Sequence, residues 1–126
     1  MNVEEVLAPV LRDMRATGAP LPAVRFEKQA EDDLWLAMLT APDSSGHGCY
    51  VDLATPLDSA VAAAADGAQE WVFDQQDIPG TSNWPPCPLH PWNHPLGAKA
   101  VGGHAVWTCR KDGAVVTKIG RLAAPR

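Results

Sequence analysis

Apolar residues recur at helical spacing from the start of the chain. Val3, Val6, Leu7, Val10, Leu11 and Met14 fall on one face, the signature of an amphipathic helix. Asn2 with Glu5 can form a capping box at its start. Pro9 conflicts with this pattern, because inside a helix it loses one backbone hydrogen bond and clashes with the carbonyl four residues back. The helix is therefore either kinked there or begins near Ala8. Gly18 is a natural stop, and Pro20 and Pro22 prevent continuation.

The period then changes from helical to alternating. In Ala23 to Gln29, Val24 and Phe26 alternate with Arg25 and Glu27, as in a half-buried strand. Leu34 to Thr40 is apolar on both faces and reads as a central strand. Cys49, Val51 and Leu53 alternate with Tyr50 and Asp52, which assigns Cys49 to the core. The connections, Glu31-Asp32-Asp33 and Pro42 to Gly46, are short, so the three strands form an antiparallel meander. A second helix follows. Thr55 caps it, Pro56 takes the first helical position, and Asp58 lies three residues after the cap. Its buried stripe is Leu57, Val61, Ala64, Ala65, Ala68, Trp71 and Val72, with Gly67 a possible bend and Pro79-Gly80 the end. The remainder predicts three short strands, Ala98 to Val101, His104 to Cys109 and Ala114 to Ile119. Gly102-Gly103 and Lys111-Asp112-Gly113 turn between them.

The fold class is thus α+β: helix, three-stranded antiparallel sheet, helix, then a small C-terminal β module. Charge divides the chain at the same point. Residues 1–79 carry four cations against fourteen acids, a net of −10. Residues 80–126 carry six against one, a net of +5, and together they make the −5 of the whole chain. Residues 85–95 hold five prolines, and three of the five tryptophans lie beyond residue 80. The expected organisation is an acidic α+β body, 1–79, and a basic, Pro/Trp-rich module, 80–126.

The start of the chain is acidic and amphipathic, unlike a secretory signal. No run approaches the ~18 apolar residues of a membrane span. A cytoplasmic protein is expected. Three cysteines make a poor disulfide framework, and in a reducing compartment thiols serve more often as metal ligands or buried apolar residues.

The chemistry is concentrated in Trp84 to Leu96 and Val106 to Gly113. Cys87 and His90 have x2 spacing, and eighteen residues separate His90 from Cys109, within the two-knuckle zinc pattern. A structural zinc takes four tetrahedral N or S donors. His94 completes a C-x2-H-x3-H-x14-C set, with Asp112 as the alternative fourth ligand. The competing reading places Cys87, His90 and His94 on a proline-rich loop and Cys109 in a strand interior, with no metal. A module of about forty residues usually needs a staple. Zinc is one, and packing on the oppositely charged body is another.

The tail resembles zinc-ribbon domains over about residues 80–122. It is also similar to small bacterial proteins that combine a W-P-x-C-P-x-H-P-type segment, here Trp84 to His94, with a later V-W-x-C, here Val106 to Cys109. Those proteins also carry a terminal I-G-x-L, here Ile119 to Leu122. The chain lacks the second C-x2-C pair of a standard ribbon. The resemblance implies one structural zinc and no particular activity.

Enzymatic readings find little support. His90 and His94 have the spacing of H-E-x-x-H, but position 91 is proline rather than the catalytic glutamate. The deaminase signature is absent. Trp84, Trp92 and Trp107 with Lys99, Arg110 and Lys111 could stack bases and meet phosphates. The net charge opposes that. The expectation is a small cytosolic zinc protein that acts as a protein-interaction adaptor. Nucleic-acid binding is the first alternative and a metal-dependent hydrolase the second.

Overall fold

The computed structural model describes residues 1–124. Helix α1 (Val3–Ala16) leads into β1 (Ala23–Lys28), β2 (Leu34–Thr40) and β3 (Gly46–Asp52). Helix α2 (Leu57–Phe73) follows, and β4 (Gly97–Val101), β5 (His104–Thr108) and β6 (Val115–Lys118) complete the chain. Each set of three strands forms its own antiparallel sheet, in the orders β1-β2-β3 and β4-β5-β6. The apolar strand β2 is central, as expected.

Pro9 does not shorten the first helix. Asn2 Oδ1 accepts the Glu5 N–H at 2.9 Å, and α1 runs from Val3 with the proline inside it. The terminal turn gained by that cap and the burial of Val3, Val6 and Leu7 offset the missing bond at Pro9.

The second helix departs from expectation at both ends. Thr55 does not cap it. Its hydroxyl donates to the Asp52 carbonyl at 2.7 Å, closing the turn after β3, and Pro56 stands at the cap position with no side-chain bond. The helix stops at Asp74 rather than Pro79-Gly80. The intervening turn is folded by the Thr81 hydroxyl, which donates to the carbonyls of Gln75 and Ile78.

Helix α2 is also buried over more than a stripe. It packs against α1, β3, β4 and β5. Ala60, Ala62, Gly67 and Gln69 join the buried set while Leu57 is exposed. Ser59, Ala63, Asp66 and Glu70 remain as one exposed line. An alanine-rich helix suits this position, because small side chains let several neighbours approach at once.

Gly67 marks the closest of those approaches rather than a bend. A Cβ there would lie 2.7 Å from the Cys49 Cβ. Gly67→Ala should therefore lower stability by about 1–3 kcal/mol through overpacking, although alanine is the better helix former by about 1 kcal/mol. Urea unfolding tests this, and Cys49→Gly, which removes the opposing atom, should recover part of the loss. A raised midpoint for Gly67→Ala alone would contradict the contact.

The same contact buries Cys49. Burial pushes its thiol from an ordinary 9.0 up to about 11. A raised thiol pKa contributes stability that is intact below about pH 9 and fades as pH climbs through 11. Its full size is about 2–3 kcal/mol. Cys49→Ala should flatten this alkaline loss, measured as the urea midpoint between pH 8 and pH 11 (~3 units on the pH scale).

The buried residues form one cluster. Trp84, Cys87, Leu96, Trp107, Cys109 and Ile119 belong to it together with Val6, Leu7, Val10, Leu39, Ala65 and Trp71. Packing on the acidic segment thus gives the tail an interior it is too short to build alone. The β4–β5 hairpin turns through Gly102 and Gly103, both at positive φ (58° and 82°). That geometry favours glycine at both positions.

Candidate metal centre

Two loops converge at the end of the second sheet. The first runs from Trp84 to Leu96. Its ends are pinned by a Pro86–Pro95 bridge and by the Leu96 N–H, which donates to the Pro85 carbonyl at 2.7 Å. Within it the His90 N–H donates to the Cys87 carbonyl, and the Asn93 N–H to that of His90, both at 3.1 Å. These two turns bring positions 87, 90 and 94 to one side of the loop. Prolines at 88, 91 and 95 lack an N–H and so leave this segment to turns rather than helix. The second loop follows β5. The Gly113 N–H donates to the Cys109 carbonyl, and the Cys109 N–H to that of Ala114, each at 2.8 Å. This reversal presents Cys109 toward the first loop.

The four side chains meet. Their ligand atoms all lie within 4.8 Å of one another. The two imidazoles are 3.2 Å apart, His94 Nε2 to His90 Nδ1. Cys87 Sγ stands 3.8 Å from His90 Nδ1. Cys109 Sγ stands 3.5 Å from the same nitrogen and 3.8 Å from His94 Nε2. A tetrahedral zinc with ordinary bond lengths has edges of about 3.3 Å between nitrogens and about 3.6 Å between sulfur and nitrogen. Each of these four separations lies within a few tenths of an ångström of those edges. Both cysteines are buried and both histidines half-buried.

The tautomer of His94 agrees with a cation at the centre. Its Nδ1 is 3.0 Å from the Pro95 carbonyl, which can only accept. A ring proton on Nδ1 makes that bond and leaves the Nε2 lone pair for the cluster. This is the outer-shell arrangement that orients metal-binding histidines. Cys87, His90, His94 and Cys109 could accordingly hold one metal ion.

No family model, curated protein or solved structure matches the chain.

Asp112 is outside the group. It is exposed, and the Ala114 N–H bonds its carboxylate at 2.9 Å and holds its pKa below the usual carboxylate value. Its role is to close the turn beside Cys109. His47 and His104, on β3 and β5, also lie outside the group.

Two buried polar residues that belong to none of the sequence motifs position the site. Gln69, on α2, is buried. Its amide donates to the carbonyls of Trp84 (3.0 Å) and Leu96 (2.6 Å), the two ends of the first loop. Its oxygen accepts from Arg110, next to Cys109, at 2.7 Å. One side chain thus ties both ligand loops to the helix. Asp13, on α1, is fully buried and accepts four donors. They are Trp107 Nε1 (2.8 Å), the N–H groups of Gly120 (2.7 Å) and Leu122 (3.0 Å), and Arg12 (3.1 Å). Both residues carry a sequence signal, since each occupies a core-facing position of a helix whose other core-facing positions are mostly apolar.

The tryptophans divide. Trp84 and Trp107 are buried and meet edge to face, with ring centroids 5.8 Å apart. Trp92, between the two histidines, is 93% exposed. Among the described residues no helix is long and apolar enough to cross a membrane.

Proposed function

We propose that this chain is a small cytoplasmic zinc protein. Residues 80–122 form a zinc-ribbon-like module around one structural ion held by Cys87, His90, His94 and Cys109. The observation that carries this reading is the convergence of four donors within 4.8 Å, with four of their six separations near tetrahedral spacing. Two thiolates and two imidazoles suit zinc by softness and by geometry. Four protein donors complete the coordination and leave no position for water or substrate, which favours a structural role over hydrolysis. No glutamate occurs after Glu70 to serve as a base beside the ion.

The role of the module is protein binding. Trp92 and Leu89 are exposed on the loop that carries three of the ligands. Exposed tryptophan on a braced loop is a common energetic anchor of protein interfaces. Nucleic-acid binding draws less support, because Trp84 and Trp107 are buried and cannot stack on bases.

Elemental analysis of purified protein tests the ion. About one zinc per chain, lost in both Cys87→Ser and Cys109→Ser, is expected. Folded protein that contains no zinc as purified and takes none up when zinc is supplied would overturn the reading. Partner binding unchanged by Trp92→Ala and by chelation would overturn the ligand loop as the binding surface, and capture of no partner would overturn the adaptor role, each leaving the ion in place.

A further inference from the structure

A cavity of about 420 Å³ opens on the side of the molecule where the tail meets α1. Its walls include Trp84, Pro85, Pro88, Leu96, Val116 and Leu122. The volume falls within the usual range of small-molecule sites, about 300–1,000 Å³. Such sites combine an apolar lining with a few polar groups that fix orientation, and this one has that composition. Arg121 is the one charged residue of the lining, and Thr117 adds a hydroxyl. Arg121 forms no ion pair among the described residues.

The walls are already in place. The Trp84 indole N–H donates to Thr17 Oγ1 at 2.9 Å, and the ring packs edge to face on Trp107. The Leu96 backbone is held from both sides, its N–H by Pro85 and its carbonyl by Gln69. Proline side chains lose almost no rotamer freedom when a ligand covers them. The apolar walls would therefore add little ordering cost, and Arg121 is the side chain an occupant must order.

We infer that this cavity binds a small monocarboxylate with an aromatic or branched aliphatic body. The Trp, Pro and Leu walls take the body, and the Arg121 guanidinium pairs with the carboxylate. The planar fork of arginine matches a carboxylate with two parallel hydrogen bonds. A single cation in a mostly apolar lining selects one negative charge and disfavours polyanions, whose remaining charges would face desolvation without partners. None of the four Cys/His residues of the candidate metal centre lines this cavity.

The test is a nitrogen–proton correlation NMR titration of the full chain with 3-phenylpropionate. Its neutral amide, 3-phenylpropanamide, serves as the comparator. Saturable shifts confined to the Trp84 indole, Leu96, Val116 and Arg121 are expected, with the acid bound about tenfold more tightly than the amide. Arg121→Gln should equalise the two, and this exposed substitution leaves the fold intact. Val116→Trp, which fills the cavity, should abolish both. Absence of saturable shifts at millimolar ligand, equal affinity for acid and amide, or an unaltered preference in Arg121→Gln would each overturn the inference. So would shifts that track protein concentration, because a second copy of the chain would then be the occupant. Acid binding that persists in chelated protein would sustain the cavity site independently of the ion, whereas failure of zinc uptake would overturn the metal reading alone.

Discussion

Stripping the proposed ion from the Cys87, His90, His94 and Cys109 centre is expected to lower the thermal midpoint by roughly 12–20 °C. A ligand present at about a thousand times its dissociation constant stabilises the folded state by about 4 kcal/mol. One kcal/mol moves the midpoint of a chain this size by about 3–5 °C. Isolated zinc peptides owe about 10–16 kcal/mol to their metal and unfold without it. Here the loss should stop short of unfolding. Trp107, Leu96 and Cys109 belong to a cluster shared with both helices, and Gln69 still ties the two loops. Chelated protein should keep its helical circular dichroism while amide protection falls across residues 84–96 and 109–114. Asp112→Asn should retain full metal content, since that carboxylate stands outside the donor set. A metal-free sample with an unaltered midpoint and unaltered protection would exclude a structural ion.

Asp13→Ala should destabilise the protein by about 3–5 kcal/mol. The substitution strands the Trp107 indole N–H and the Gly120 and Leu122 N–H groups, three donors bonded to that carboxylate. Breaking a buried, hydrogen-bonded charge arrangement from one side carries a cost of this order. Arg12→Ala should cost less than about 1 kcal/mol, because the Arg12 side chain is half exposed and solvent screens its pairing. The two variants thus separate the carboxylate as an acceptor from the carboxylate as half of an ion pair. Denaturant midpoints followed by far-ultraviolet circular dichroism give both values. A difference under 1 kcal/mol between the variants would refute the proposed division (about a fivefold difference in equilibrium constant).

Much of this architecture was legible residue by residue. Alternation in β1 and β3, a doubly apolar β2 and short polar connections specify a meander locally. Gly102-Gly103 specifies its hairpin for the same reason, because few other residues enter that turn. The ligand candidates were legible because C-x2-H in a proline-interrupted segment permits little besides a turn. The limits of α2 were not. Thr55 looked like a cap, but its hydroxyl closes the turn after β3, a competition that depends on where β3 ends. Gly67 looked like a weak point in a helix. Its purpose is visible only once Cys49 lies opposite it.

The ordering of apolar and polar positions was enough to establish two helices, two antiparallel meanders and a Cys/His set of metal-ligand type. These are properties of neighbours along the chain, set by backbone period, turn chemistry and donor type. Folding in three dimensions settled matters between distant residues. It chose His94 over Asp112 as the fourth member of the cluster, joined the acidic and basic segments through one interior, and recruited Asp13 and Gln69 to hold the tail. The physical reason is that a buried polar group is specified by the donors that reach it. For Asp13 those donors lie about a hundred residues away, beyond the reach of any local pattern.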